Sequence, residues 1–469
     1  MAIKIYTVKN LDQITSDRLD KRKARLMLRS RFFKLPLALL LLTLSLTLYG
    51  AHRFQQRGHD AVLDADYGLP LLAAATLYPD ALLRLEQRLA HYPDDYEASL
   101  LKGLILFRSG DLAAARDELA GLTQRAPHFH LAHLVQGDLL LTQTQPVTDI
   151  GATPLLSSLE PEQDALAQLR AEADVRLKAY LDALPQNRLP RSLLALGEDV
   201  KTAILVDKEN HRLYIYERQS GDRPPRLLRD FYVSTGRANG NKLLRGDLRT
   251  PEGVYFITSH IPSSALPDKY GSGAFPINYP NELDRRMGKT GGGIWLHGTQ
   301  NAYYSRPPLD SEGCVVLPNI DLEQAAAFIH PGVTPLVISD RVEWVSEADW
   351  RHERQSLRTA LDGWQSDWSS GDVERYLAHY AQDFWSQGFD LKKWRDRKRT
   401  IAKGKTYQRI KLSNLSLFIY PSAASNGRQL AVANFRQQYQ SNNFSSDMGK
   451  RLYLANEGRR WQVLYEGGL

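Results

Sequence analysis

The hydrophobic pattern of this chain changes period at Lys201 and again near Asp340, which divides it into segments of different secondary structure. From about Pro70 to Leu184, apolar residues recur at helical spacing among abundant Ala, Leu, Glu and Arg. From Lys201 the pattern becomes short runs rich in β-branched and aromatic residues: 203–206, a polar turn at 207–211, 213–216, then 227–234. Residues 350–381 read as helix again, broken at Ser370-Gly371-Asp372, and alternating strands follow at 412–420, 430–439, 450–455 and 461–465. A length of 469 residues suits several domains. The expectation is a multidomain α+β protein.

Charge divides the chain differently. The chain carries 60 Lys and Arg against 53 Asp and Glu, and residues 1–34 hold ten of the former and three of the latter. The rest is therefore balanced, which gives no basic body for nucleic acid to bind. Residues 35–51 contain no charge. With the basic cluster before them they read as a single-pass membrane anchor whose N-terminus is cytoplasmic. A cleaved signal peptide is the rival reading, opposed by the long polar segment that precedes the run. The body is then expected outside the inner membrane, in the periplasm.

Within the helical segment, Tyr92-Pro93 and Ala126-Pro127 are 34 residues apart, as are Gly103 and Gly137. That period resembles tetratricopeptide repeats and suggests a docking or self-association surface, or else a spacer. Residues 160–184 read as one more helix, and 186–197 as a linker.

The chemistry concentrates at residues 291–317, GGGIWLHGTQNAYYSRPPLDSEGCVVL, which hold the only cysteine, Cys314. A single cysteine excludes an intrachain disulfide, and in an oxidising compartment it reads more simply as a reactive group. His297 ends the apolar run Ile294-Trp295-Leu296, and Cys314 precedes Val315-Val316-Leu317. Two strand ends joined by a polar loop bring an imidazole towards a thiol, and the imidazole can take its proton. Gly313 lets the backbone approach a substrate carbonyl, and amides around Cys314 are candidates to hold an oxyanion. Neither residue has a partner at zinc-ligand spacing, so no metal or other cofactor is implied.

His297-Gly298-Thr299 followed by Ser311-Glu312-Gly313-Cys314 resembles the signature of the L,D-transpeptidases of bacterial peptidoglycan. The stretches Val233-Ser234-Thr235-Gly236 and Thr250-Pro251-Glu252-Gly253 strengthen the likeness, which covers about residues 201–340. The resemblance implies a mostly-β catalytic domain whose cysteine attacks the carbonyl at the L-centre of the third stem-peptide residue, usually meso-diaminopimelate. D-alanine leaves, and an amine or water resolves the thioester. Cys314 is then the nucleophile and His297 the base, while Gly313 shapes the oxyanion site and Ser311 bonds the histidine or positions the loop. Gly298 and Thr299 shape the strand end. Where the family usually has a histidine after the serine and an arginine after the cysteine, this chain has Glu312 and Val316.

The turn-rich segment 260–290 is expected to form a lid or cleft wall, with Tyr279 and Arg286 as substrate contacts. Residues 350–469 resemble the nuclear-transport-factor-like cone fold, with a wall-binding or self-association role, or else that of a passive stabilising cap. The expected divisions are a basic arm at 1–34, an anchor at 35–51, a helical region and linker at 52–197, a catalytic domain at 198–340 and an α+β domain at 341–469. The expected activity is L,D-transpeptidation of stem peptides. The alternatives are L,D-carboxypeptidase trimming, release of wall-linked lipoprotein, and a non-catalytic wall-binding scaffold.

Overall fold

In the computed structural model the described residues are 71–144, 147, 163–182, 188–421, 427–458 and 460–469. All lie in one compact unit, Tyr67–Leu469. The basic arm and the expected anchor fall outside the described residues. Among the described residues no helix is long and apolar enough to cross a membrane.

The helical region comprises α1 (Leu71–His91), α2 (Tyr96–Ser109), α3 (Leu112–Arg125), α4 (His130–Leu141) and α5 (Gln163–Asp182). Asp95 and Asp111 accept hydrogen bonds from the amides of Ala98 and Ala114 and so start α2 and α3. Gly110, at φ 87°, closes α2 in the left-handed conformation. A Cβ on Gly103 would lie 2.8 Å from Leu119, so this glycine lets α2 and α3 approach, whereas Gly137 has nothing within 4 Å. The two glycines of the 34-residue spacing therefore play different packing roles. Leu177 and Leu181 of α5 bury with Ala81, Leu85, Leu101 and Ile105 of α1 and α2.

The middle of the chain builds a five-stranded sheet in the order Arg226–Tyr232, Arg212–Glu217, Thr202–Asp207, Pro335–Ser339, Gly253–Phe256. Asp207 accepts from the Asn210 amide at 3.0 Å and closes the expected hairpin turn. Every residue of Thr202–Asp207 is buried. Ile204 and Val206 face a core with Phe231, Tyr255, Leu296 and Ile338. Ala203 and Leu205 face the opposite way, onto Phe418, Tyr420, Val432 and Tyr453 of the C-terminal domain. Burial on both faces explains the continuous apolar run.

The C-terminal domain starts with helix Glu347–Ser370, capped by Ser346 and ended by Gly371 at φ 83°. The helical pattern stops earlier than residue 381: Tyr380 opens strand Tyr380–Ser386, because its partner is Val463 in the last strand. Helix Leu391–Ala402 was not expected; its sequence is dominated by charge, and only Leu391 and Trp394 are buried. A seven-stranded sheet follows, and its final member is Leu193–Ala195. The segment read as a linker at 186–197 thus supplies an edge strand, pairing with Gln408–Ile419.

Segment 260–290 is built into the fold and is not a free lid. Strand Gly273–Pro276 pairs antiparallel with Trp295–His297, and Phe275, Ile277 and Tyr279 are buried.

Candidate active site

Strand Trp295–His297 runs parallel to Val315–Val316, with Leu296 opposite Val315 and His297 opposite Val316. Side chains alternate along a strand. Leu296 and Val315 enter the core, so His297 and Val316 share the other face, and Cys314, two residues before Val316, follows the same parity. Strand spacing and rise place the His297 and Cys314 Cα atoms roughly 8 Å apart on that face. The Leu317 amide donates to the His297 carbonyl at 2.9 Å, and Val316 exchanges hydrogen bonds with Ser234 on its other side. The cysteine strand is therefore pinned on both edges.

His297 is 4% exposed, and the Tyr270 ring stands edge-on to it at 5.0 Å. Its Nδ1 lies 2.6 Å from the Gly298 carbonyl. A carbonyl only accepts, so Nδ1 carries the proton and Nε2 holds a free lone pair. Burial pushes the imidazole pKa down to about 4, partly opposed by the Gly298 hydrogen bond. Burial also pushes the Cys314 thiol up, against the pull of the Trp295 amide and Arg306. Burial thus favours the neutral forms of both groups, thiol and imidazole. Cys314 is partly exposed, with Sγ 3.7 Å from the Gly293 carbonyl.

Ser311 does not bond the histidine. Its hydroxyl donates to the Cys314 carbonyl at 2.7 Å and accepts from the Gly313 amide at 3.1 Å. That amide is therefore engaged by Ser311. Gly313 sits at φ 123°, where a side chain is strained. Gly298 is needed for space, since a Cβ there would lie 2.2 Å from Asn319 Oδ1. Thr299 is fully buried; its amide donates to Asn319 Oδ1 at 3.0 Å and its hydroxyl accepts from Arg306 Nε at 3.0 Å. Both hold the strand end.

The two further contact candidates are placed elsewhere. Tyr279 is buried, and its hydroxyl donates to the Thr290 carbonyl at 3.2 Å. Arg286 turns to the C-terminal domain, 5.9 Å over the Trp385 ring, beside a cavity of about 400 Å³ shared with Glu282, Arg285 and Tyr465. Sequence reasoning missed Asn319 and Arg306. Asn319 Oδ1 accepts from both Ser272 and Thr299 amides, and nothing in its local sequence signals that. Arg306 stands in the loop between the two motifs, and its position there was the available signal.

Two parallel strands thus carry His297 at the end of one and, directly before the other, Cys314. The L,D-transpeptidase catalytic domain family matches residues 201–338, and the Cds6 C-terminal NTF2-like domain matches residues 356–467. The structure of Bd1075 from Bdellovibrio bacteriovorus is 30% identical, with a TM-score of 0.53, over 60% of this chain and 98% of its own. A point mutant of the helical cell shape determining protein Pgp2 from Campylobacter jejuni is 25% identical, with a TM-score of 0.50, over 59% of this chain and 94% of its own. Among curated proteins none matches. The chain belongs to the L,D-transpeptidase family, with an NTF2-like domain joined to the catalytic one.

Proposed function

We propose that this protein is a cysteine-dependent L,D-transpeptidase acting on the diaminopimelate–D-Ala bond of peptidoglycan stem peptides. The observation that supports the reading is the parallel register of His297 and Val316, by which the strand that Cys314 leads into runs alongside the histidine strand; the Gly298 carbonyl leaves Nε2 unprotonated. Substrate binding excludes water and brings the reacting carbonyl to Sγ. His297 Nε2 takes the thiol proton as the S–C bond forms. The Cys314 amide is the candidate donor to the oxyanion, since the Gly313 amide is bonded to Ser311. The tetrahedral intermediate collapses to a thioester, and the proton on Nε2 passes to the departing amine of D-alanine. An acceptor amine then attacks the thioester carbonyl and gives a proton to His297 Nε2; the C–S bond breaks as the amide forms, and that proton passes to Cys314 Sγ and restores the thiol.

Hydrolysis of the same thioester, giving an L,D-carboxypeptidase, is the second reading. It is favoured by the similarity of this chain, with its catalytic and NTF2-like domains, to a helical cell shape determining protein. In both readings the body works outside the inner membrane, held by residues 35–51, and the C-terminal domain binds wall material or a second copy.

The test is incubation of the full-length chain with purified disaccharide-tetrapeptide, followed by product masses. A cross-linked dimer supports transpeptidation, and tripeptide alone supports trimming. Absence of any product from folded protein overturns both, as does full turnover by Cys314→Ala.

A further inference from the structure

The loop joining the histidine strand to the cysteine strand is seated in the helical region, which lies outside both matched families. The Tyr304 ring enters the core formed by Leu100, Leu119 and Val135, 4.0 Å from the Phe129 ring and 6.0 Å from Tyr96. Its amide donates to the His128 carbonyl at 3.1 Å. Tyr303 meets His130 edge-on at 5.5 Å. Ser305 Oγ donates to Glu172 Oε1 at 2.6 Å.

Glu172 is itself fixed. It pairs with Arg176, which is fully buried and also bonds Glu97 at 2.8 Å. Glu97 in turn accepts from Arg212 of the catalytic sheet at 2.7 Å. Desolvating these charges is costly, so the network holds only where every partner keeps its place. It fixes the helical region to the catalytic domain in one register. From the catalytic side, the Tyr232 hydroxyl donates to the Arg306 carbonyl at 2.8 Å, and Arg176 stacks on the Tyr232 ring at 3.7 Å.

The Arg306 side chain leaves this grip towards the active site. Nε donates to Thr299 Oγ1 at 3.0 Å and Nη2 to the Lys269 carbonyl at 3.0 Å. Thr299 lies two residues past His297, and Lys269 precedes Tyr270, whose ring packs on the imidazole. One guanidinium thus ties together the two segments that orient His297.

We propose that the helical region is a working part of the active site: it anchors the loop through Tyr304 and Ser305, and Arg306 on that loop is a positioning residue for His297. This rests on the cysteine–histidine reading above. The helices then do more than hold the enzyme away from the membrane or offer a surface to partners. They set the geometry of the chemistry.

The Tyr304 hydroxyl is buried with no hydrogen-bond partner among the described residues, so its ring and not its oxygen makes the anchor. In full-length protein, Tyr304→Phe keeps wild-type turnover, whereas Tyr304→Ala lowers kcat by about tenfold or more, with KM changed less than about threefold, as expected when reacting groups are misplaced but binding surfaces stay. Arg306→Ala behaves like Tyr304→Ala, and Arg306→Lys restores part of the loss. Cys314 is the only thiol, so its alkylation by iodoacetamide across pH reports directly on the site. The midpoint moves up in Arg306→Ala, because a cation near the thiolate is lost. Should Tyr304→Ala not fold, the Arg306 variants decide. Wild-type kcat and an unchanged alkylation profile in Arg306→Ala overturn the proposal. A wild-type chain that shows no turnover, yet whose alkylation profile shifts in Arg306→Ala, overturns the enzymatic reading and leaves the positioning role standing.

Discussion

A Cβ added to Gly313 would lie 2.7 Å from the carbonyl oxygen of Arg249. The residue beside the candidate nucleophile is thus held against a backbone that cannot move aside, at a φ of 123°. Replacement by alanine combines steric overlap with backbone strain of about 1–3 kcal/mol. Gly313→Ala is expected to lower the melting temperature and to cut turnover by about a hundredfold, because the loop carries Sγ. A melting curve and product assay near wild type would remove the tight-turn argument.

The neutral forms that burial favours predict the pH behaviour. Protonation of Nε2 removes the base, so turnover falls as pH drops through about 4, where burial has placed the His297 pKa. Burial raises the thiol, so alkylation of Cys314 in the free protein should have its midpoint above the usual cysteine value of about 8.5. A midpoint near neutrality would mean that a thiolate–imidazolium pair exists before substrate arrives.

Asp321 offers a stability test. It is 5% exposed; burial, then the neighbouring carboxylates Asp95 and Glu97, push its pKa up to about 8. The folded state therefore binds a proton that the unfolded state releases at about 3.9, and stability falls as pH rises between those values. Asp321→Asn keeps a neutral group and removes that decline. Its melting temperature should gain on wild type from pH 5 to pH 8 and hold a constant lead above that. Parallel curves for the two proteins would contradict the assignment.

Glu466 is the counterpart in the C-terminal domain. It is 1% exposed, accepts from Tyr380 at 2.7 Å and pairs with Lys450. Burial opposes its charge, but Lys450 and Lys398 prevail and hold its pKa at about 2. Its contribution is present above the ordinary carboxylate range and is lost as pH falls towards 2. Glu466→Ala leaves two cations among aromatic rings, and should cost about 3–5 kcal/mol by denaturant titration. A loss below about 1 kcal/mol would show that Lys450 and Lys398 find solvent.

Much of this arrangement was legible in residues that carry chemistry locally. His297 and Cys314 close and open short apolar runs around a polar loop, and strand ends follow from that pattern. Asp207–His211 and Gly371 announce a turn and a helix end by residue type. What stayed hidden depends on partners far along the chain. Tyr304 looks like any aromatic in a polar loop until Phe129 is placed beside it. Leu193–Ala195 is too short to read as a strand without the Gln408–Ile419 edge it completes. Helix Leu391–Ala402 carries so few apolar residues, with only Leu391 and Trp394 buried, that its charged sequence gives little apolar pattern to read.

That edge strand bears on how the polypeptide is made. Leu193–Ala195 leaves the ribosome more than two hundred residues before the edge it joins, so its amides stay without their final partners while the whole catalytic segment is synthesised and collapses. The sheet can be completed only when Gln408–Ile419 arrives, which makes the catalytic segment an insertion inside its neighbour. Cutting the gene after residue 197 would separate one module from a piece of the other.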